Sequence, residues 1–294
     1  MKLTILGTAA SEGWPAAFCR CENCARARSL GGRNIRKRTG LLIDGTIMVD
    51  IPPDALSLCQ QQGIDLFDLE HLFISHPHTD HLYAPELQWR RRHYSHPDSD
   101  RTLHVYGSET TRRQVIAAIE GEWEACRLDF HPVTRWQTFH LNEHGSVIAA
   151  LAAHSPVLEC FNYIIQLNGC TILQGYDTGW YSDETWEHLT PYRFNVVLMD
   201  CTNGVLDDSR GHLNIRDLLR VKQKMHYLGI VDDRTAFIAT HFSHNGGLLH
   251  DDLVKALQPG GVVPAFDGMI VEIKKTDYGV ENVVGGRQDD GMMR

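Results

Sequence analysis

Apolar residues along this chain come in short runs broken by polar and glycine-containing segments. Residues 3–7 form the first such run and end on a glycine, which predicts a strand. Residues 41–51 (LLIDGTIMVDI) predict a hairpin with Asp44-Gly45 at its turn. Residues 71–75 (HLFIS) predict a buried strand. Further strands are expected at residues 103–106, 137–140, 147–152, 162–167, 171–174, 196–199, 236–240 and 269–273. Helical periodicity marks residues 53–62, 110–120, 215–226 and 248–257. Residues 11–40 lack a steady period and read as a long loop that something must order. The polar, glycine-rich stretch 285–294 reads as a frayed tail. Strands dominate both halves and helices lie between them, so the expectation is an α/β protein with two packed sheets and helices outside.

Composition bounds this picture. A chain of 294 residues with 43% hydrophobic content can bury a large core as one domain, and no low-complexity linker divides it. A single domain over residues 1–294 is therefore expected. The net charge of −9 gives no support for a general nucleic-acid binder. The basic stretches 26–38 and 90–92 could face an anionic substrate, though a solvated surface is the commoner reading of such stretches. No run of 18 apolar residues exists, so no membrane partner is expected. Eight cysteines without the framework of a small secreted domain suggest the reducing cytoplasm. Seventeen histidines are many, and metal ligation is the usual reason.

The chemistry concentrates in SHPHTDHL, which follows the strand at 71–75 directly. His76 and His78, at i and i+2, can point the same way from an extended segment. Asp80 and His81 come from the following turn and can face a second ion. Imidazole with carboxylate suits Zn²⁺, Mn²⁺ or Fe. Two ions about 3.5–4 Å apart can share a hydroxide and clamp attacking and leaving oxygens. The motif therefore points to two catalytic divalent metals and to hydrolysis.

The HxHxDH pattern resembles the metallo-β-lactamase superfamily, whose fold is a four-layer αββα sandwich. The resemblance implies further ligands at later strand ends, and the sequence offers each in order: Ala153-His154, Tyr176-Asp177 and Thr240-His241. It implies that His76, His78 and His154 hold one ion, that Asp80, His81 and His241 hold the other, and that Asp177 bridges. Asp80 could also share in proton handling. The superfamily usually carries Asp-x-Gly after its second hairpin strand; here Asp50-Ile51-Pro52 replaces the glycine. Asp50 can still support a histidine ligand by a hydrogen bond, but the turn there must differ.

Cys19, Cys21 and Cys24 supply three thiolates within six residues. A closed tetrahedral zinc site needs a fourth ligand, and His244, three residues after His241, is the natural one. Such a structural Zn²⁺ would order residues 11–40. The alternative, a redox pair of Cys21 and Cys24, lacks the βαβ context of redox CxxC motifs.

CxCxxC, HxHxDH and a final HxxH together resemble the phosphoribosyl 1,2-cyclic phosphate phosphodiesterases of phosphonate breakdown. Asp200-Cys201, Gly211-His212-Leu213-Asn214 and Phe266-Asp267-Gly268 extend the resemblance over residues 1–274. It implies hydrolysis of a small cyclic phosphodiester by a metal-bridging hydroxide, a small phosphorylated substrate and a homodimer. His212 would donate a proton to the leaving oxygen or hold a phosphate oxygen. Three alternatives stay open: a tRNA 3′ endonuclease, a lactone or thioester hydrolase, and an accessory protein of pyrroloquinoline quinone biosynthesis.

Overall fold

The computed structural model describes residues 1–96, 100–142, 145–208, 210–276 and 279–286. The chain first builds one sheet from β1 (Lys2–Gly7), β2 (Gly40–Ile43), β3 (Ile47–Val49), β4 (His71–Phe73), β5 (Leu103–Gly107) and β6 (Leu128–Pro132). It then builds a second from β7 (Thr138–Asn142), β8 (Gly145–Leu151), β9 (Phe161–Leu167), β10 (Cys170–Gly175), β11 (Val196–Asp200), β12 (Ala236–Thr240) and β13 (Val263–Pro264). It returns to the first sheet with β14 (Met269–Thr276) and β15 (Gly279–Gly286). The sheet orders are β15-β14-β1-β2-β3-β4-β5-β6 and β13-β12-β11-β10-β9-β8-β7. Among the described residues, seven α-helices connect them: α1 (Glu22–Leu30), α2 (Ala55–Gln62), α3 (Glu109–Ala118), α4 (Trp123–Cys126), α5 (Asp183–Leu189), α6 (Ile215–Tyr227) and α7 (His250–Leu257).

Alternation along the strands divides the core into three layers. Leu3, Ile5, Leu41, Val49 and Phe73 of the first sheet meet Val147, Tyr163, Ile165, Val196 and Ile238 of the second. The outer face of the first sheet, with Leu42, Met48, Leu72 and Val105, packs on Leu58 of α2 and Val115 of α3. The outer face of the second, with Ile164, Leu173 and Val197, packs on Leu218 and Val221 of α6 and Leu253 of α7. These layers are the αββα sandwich of the metallo-β-lactamase fold.

The strands that carry chemistry run in a common direction within each sheet. β3, β4, β5 and β6 are parallel to one another. So are β10, β11 and β12, and β8 joins them through two antiparallel steps across β9. Loops after these strands therefore collect at one end of the sandwich.

The structure differs from the sequence reading in places. Residues 11–40 are not loop throughout: α1 spans Glu22–Leu30, with the Cys21 side chain capping it at Cys24 N. Its apolar content is too low to show a period, and only Cys24 and Ala27 are buried. β6 and α5 do not stand out in the sequence either: both are short, β6 interrupts its apolar residues with Asp129 and His131, and α5 is largely polar. Gly285 and Gly286, expected in a frayed tail, pair with Ile270 and Met269. The rest of that expectation, residues 287–294, lies outside the described residues.

Candidate metal centre

The loop after β4 begins with Ser75, whose backbone N–H donates to Asp50 Oδ1 at 2.7 Å. His81 N and Leu82 N both donate to His78 O, which closes a tight turn. That turn brings Asp80 and His81 back beside His76 and His78. His154 follows β8, Asp177 follows β10, and His241 follows β12. Asp50, Asp177 and His241 adopt left-handed backbone conformations, with φ of 63°, 44° and 60°. Such φ values are uncommon outside glycine and cluster where function requires a fixed geometry.

Two groups of ligand atoms hold the expected ligands, and Asp177 belongs to both; a third group joins Asp177 and His241 to Asp200 and His212. In the first, His78 Nδ1 lies 2.9 Å from His76 Nε2 and 3.3 Å from His154 Nε2. Asp177 Oδ2 lies 3.3 Å from His76 Nε2 and 3.4 Å from His154 Nε2. In the second, His81 Nε2 lies 3.3 Å from Asp80 Oδ2, from Asp177 Oδ2 and from His241 Nε2. His241 Nε2 sits 3.7 Å from Asp80 Oδ2 and 2.7 Å from Asp177 Oδ1. Ligands about 2.0–2.2 Å from one tetrahedral ion stand roughly 3.3–3.6 Å apart, so most of these separations suit a shared cation.

Three further observations fit divalent ions. First, Asp50, Asp80, Asp177 and Asp200 are all buried. Among the described residues their ion-pair partners are histidines, never lysine or arginine. Buried carboxylates need positive charge nearby, and metal ions supply it. Second, Asp177 Oδ1 is buried and accepts no hydrogen bond of acceptable geometry, although His241 Nε2 is so close. Two atoms aimed at a common point behave in this way. Third, the second nitrogen of most rings is engaged elsewhere. His81 Nδ1 meets Asp50 Oδ2 at 2.7 Å, His154 Nδ1 meets Gly211 O at 3.0 Å, and His241 Nδ1 meets Thr202 Oγ1 at 2.8 Å. His76 Nδ1 meets Ser75 Oγ at 3.1 Å. Such partners orient ligating imidazoles and set their tautomer.

His212 stands beside this centre. Its Nδ1 lies 2.9 Å from Oδ2 of the fully buried Asp200. Its ring centre is 4.8 Å from that of His154, and its plane is stacked on His241 at 13°. Burial pulls its pKa down, but the charge and hydrogen bond of Asp200 outweigh this and leave it raised. Asp200 also accepts from Thr202 N and Oγ1 and from Leu213 N. Sequence reasoning assigned no role to Asp200 or Thr202. The available signal was that Asp200 ends an apolar strand, as Asp177 follows one.

Cys19, Cys21, Cys24 and His244 form a separate group. His244 Nδ1 is 3.9 Å from Cys19 Sγ and 3.5 Å from Cys21 Sγ. Asn23 Nδ2 donates to His244 O at 3.0 Å. The backbone N–H of Cys24 helps draw the Cys21 thiol down to about 7, whereas burial pushes that of Cys24 up to about 11.

An open pocket of about 780 Å³ lies over the centre. Asp80, His78, His154, Asp177, His212 and His241 form its floor, and Ser11, Glu12, Thr79, Asn203, Ser243 and Asn245 its walls. Among the described residues, no lysine or arginine lines it. Its volume falls in the range of small-molecule sites.

The fold and this arrangement define a metal-dependent hydrolase, and the superfamily's fold implies divalent metal ions. A family model for the β-lactamase superfamily domain matches residues 45–242, and the chain belongs to that superfamily. The match includes residues 76–241 of the histidine-rich centre but stops short of both the cysteines and His244. No curated protein matches the sequence. Among solved structures, the chain is similar to a diphosphatase from the PhnP family, with 20% identity and a TM-score of 0.72 over 92% of this chain and 95% of that one. It is also similar to zinc-bound PqqB from Methylobacterium extorquens, with 15% identity and a TM-score of 0.67 over 92% of this chain and 100% of that one. The short form of human tRNase Z shares 17% identity, with a TM-score of 0.62 over 92% of this chain and 99% of that one. At these identities the likeness shows the fold. Among the described residues, no helix is long and apolar enough to cross a membrane.

Proposed function

We propose that this protein hydrolyses a small cyclic phosphodiester of the ribose 1,2-cyclic phosphate kind. His76, His78, His154 and Asp177 would hold one divalent ion, and Asp80, His81, His241 and Asp177 a second. Bound there, the ions supply Lewis acidity to phosphoryl oxygens and lower the pKa of water toward neutrality. Cys19, Cys21, Cys24 and His244 would hold a structural zinc.

The observation that carries the reading is His212, held through Nδ1 by buried Asp200 beside the shared aspartate. Water attack forms a new P–O bond and breaks the ring P–O bond; the attacking water gives up a proton to solvent, and the departing sugar oxygen needs one. His212 donates it from Nε2, while Asp200 stabilises the protonated ring beforehand. Asp80 acts as a ligand, as its spacing to His81 and His241 suggests. Ser11, Thr79, Asn203 and Asn245 are uncharged and suited to sugar hydroxyls. A pocket wall with no lysine or arginine among the described residues, on a chain of net charge −9, speaks against a tRNA 3′ endonuclease.

The test is an assay of bis-p-nitrophenyl phosphate and of a ribose 1,2-cyclic phosphate with Mn²⁺, Zn²⁺ or Fe²⁺. Release of a phosphomonoester is the expected result. Absence of phosphodiester turnover with every metal, together with cleavage of a lactone or thioester, would overturn the proposal. Processing of a tRNA precursor in preference to the small diester would do so too.

A further inference from the structure

Ligand-type side chains also gather toward the other end of the first sheet. His71 opens β4, whereas His76 and His78 follow that strand's end. Parallel register sets His71 opposite His104, and His104 opposite Asp129. Two residues further along, Tyr106 stands opposite His131. Leu103 and Val105 face the outer helices. His104, Asp129 and His131 therefore share the opposite face with Tyr106.

We propose that His104, Asp129 and His131 form a further binding site for a divalent cation of the zinc type. His104 Nδ1 lies 3.0 Å from His131 Nε2. Asp129 Oδ2 lies 3.4 Å from the first nitrogen and 3.2 Å from the second. This triangle has the edges found in the superfamily centre, where ligand atoms stand 2.9–3.4 Å apart around Asp177 Oδ2. Two imidazoles and one carboxylate are a donor set that zinc accepts, and a fourth position remains for water. The three side chains are 36%, 53% and 36% exposed, so an ion can enter from solvent.

The rings are also braced. His71 stacks on His104 with centroids 5.6 Å apart, and Tyr106 on His131 at 4.7 Å. His71 Nδ1 and the Tyr106 hydroxyl are joined at 3.1 Å. A closed hydrogen-bonded triad is the competing account: one N–H shared between His104 and His131 would satisfy both rings without a metal.

The experiment uses the full chain, saturated with zinc and then freed of loose metal by gel filtration. Elemental analysis should find one zinc fewer per chain in H104A/H131A than in the parent, with turnover of bis-p-nitrophenyl phosphate unchanged. The milder Asp129→Asn should weaken binding of that one ion. Should the double variant misfold, zinc anomalous scattering from crystals of the parent decides. A peak about 2.0–2.3 Å from His104 Nδ1, His131 Nε2 and Asp129 Oδ2 supports the site. Equal zinc in a folded variant and the parent, or no anomalous peak at these atoms, overturns it.

Discussion

Asp50 Oδ2 meets His81 Nδ1 at 2.7 Å, with both side chains fully buried. The contact leaves His81 Nε2 facing Asp80, Asp177 and His241. It survives a change of turn: Pro52 stands where the superfamily's usual motif has glycine. Asp50 itself takes the left-handed conformation, and its carboxylate also accepts from the Ser75 N–H and hydroxyl. One buried carboxylate thus ties the end of β3 to the first turn of the histidine loop. Replacing Asp50 by alanine should lower metal affinity about 10–100-fold, as loss of a ligand's hydrogen-bond partner does elsewhere. Competition against a chromogenic chelator measures this directly.

Asp177→Ala removes the one carboxylate common to both ligand groups. Metal content should fall, and phosphodiesterase turnover should drop by roughly three orders of magnitude or more. Parallel elemental analysis and kinetics check it. Full loading and full turnover in this variant would sink the two-ion reading.

His212 and Asp200 should separate in their effects. His212→Ala should lower kcat about 10²–10⁴-fold on a substrate with a poorly acidic leaving group. The same variant should lose far less on bis-p-nitrophenyl phosphate, whose nitrophenolate leaves without a proton. Asp200→Asn, which keeps the shape but not the charge, should lie between the parent and His212→Ala. Equal losses on both substrates would remove the proton-donor role.

Cys24→Ser should release the zinc proposed for the cysteine group, while the ions proposed for the histidine-rich centre stay. Glu12 accepts from Ser243 at 2.5 Å and lies 3.7 Å from His244 Nε2, so the cluster also steadies the pocket wall. A fall in melting temperature of roughly 5–10 °C is expected. Scanning calorimetry with and without a zinc chelator distinguishes this from a packing defect, because the chelator should not lower the variant further at this site.

Away from the metals, His250 Nδ1 accepts a hydrogen bond from the buried Arg36 guanidinium at 3.1 Å. Burial, then the charges of Arg36 and Arg33, lower its pKa to about 4. The unfolded chain binds this proton near the ordinary value of 6.5, so folding excludes it. The stabilisation is present above pH 6.5 and is lost as pH falls from there toward 4. It should amount to roughly 1–2 kcal/mol once solvent screening is allowed for. Melting curves of the metal-free protein between pH 7 and 4.5 should therefore fall more steeply for the parent than for His250→Asn.

Much of the centre was legible because it is local. An apolar strand running straight into SHPHTDHL places four ligand-type residues, three histidines and one aspartate, within six positions, whatever the rest of the fold does. His154, Asp177 and His241 could be read as strand-end residues, since short continuous apolar runs announce the strands that carry them. α1 was not legible, because its Glu22–Leu30 sequence buries only two residues and is held by the cysteine group rather than by an apolar face. The His104–Asp129–His131 triangle was not legible either. Its members lie on two parallel strands, and only the register of β5 against β6 brings them together.

The chain's own pattern determined most of the strands, the ligand types and the order in which they occur. Tertiary structure decided which atoms face one another. Asp177 touches both groups because β4, β8, β10 and β12 deliver their loops to the same end of the sandwich. Asp200 acquired its partner because the loop before α6 folds back over β11. Hydrophobic periodicity reports which face of an element is buried. The separation between two side chains on different elements depends on register and packing, which no local stretch of sequence encodes.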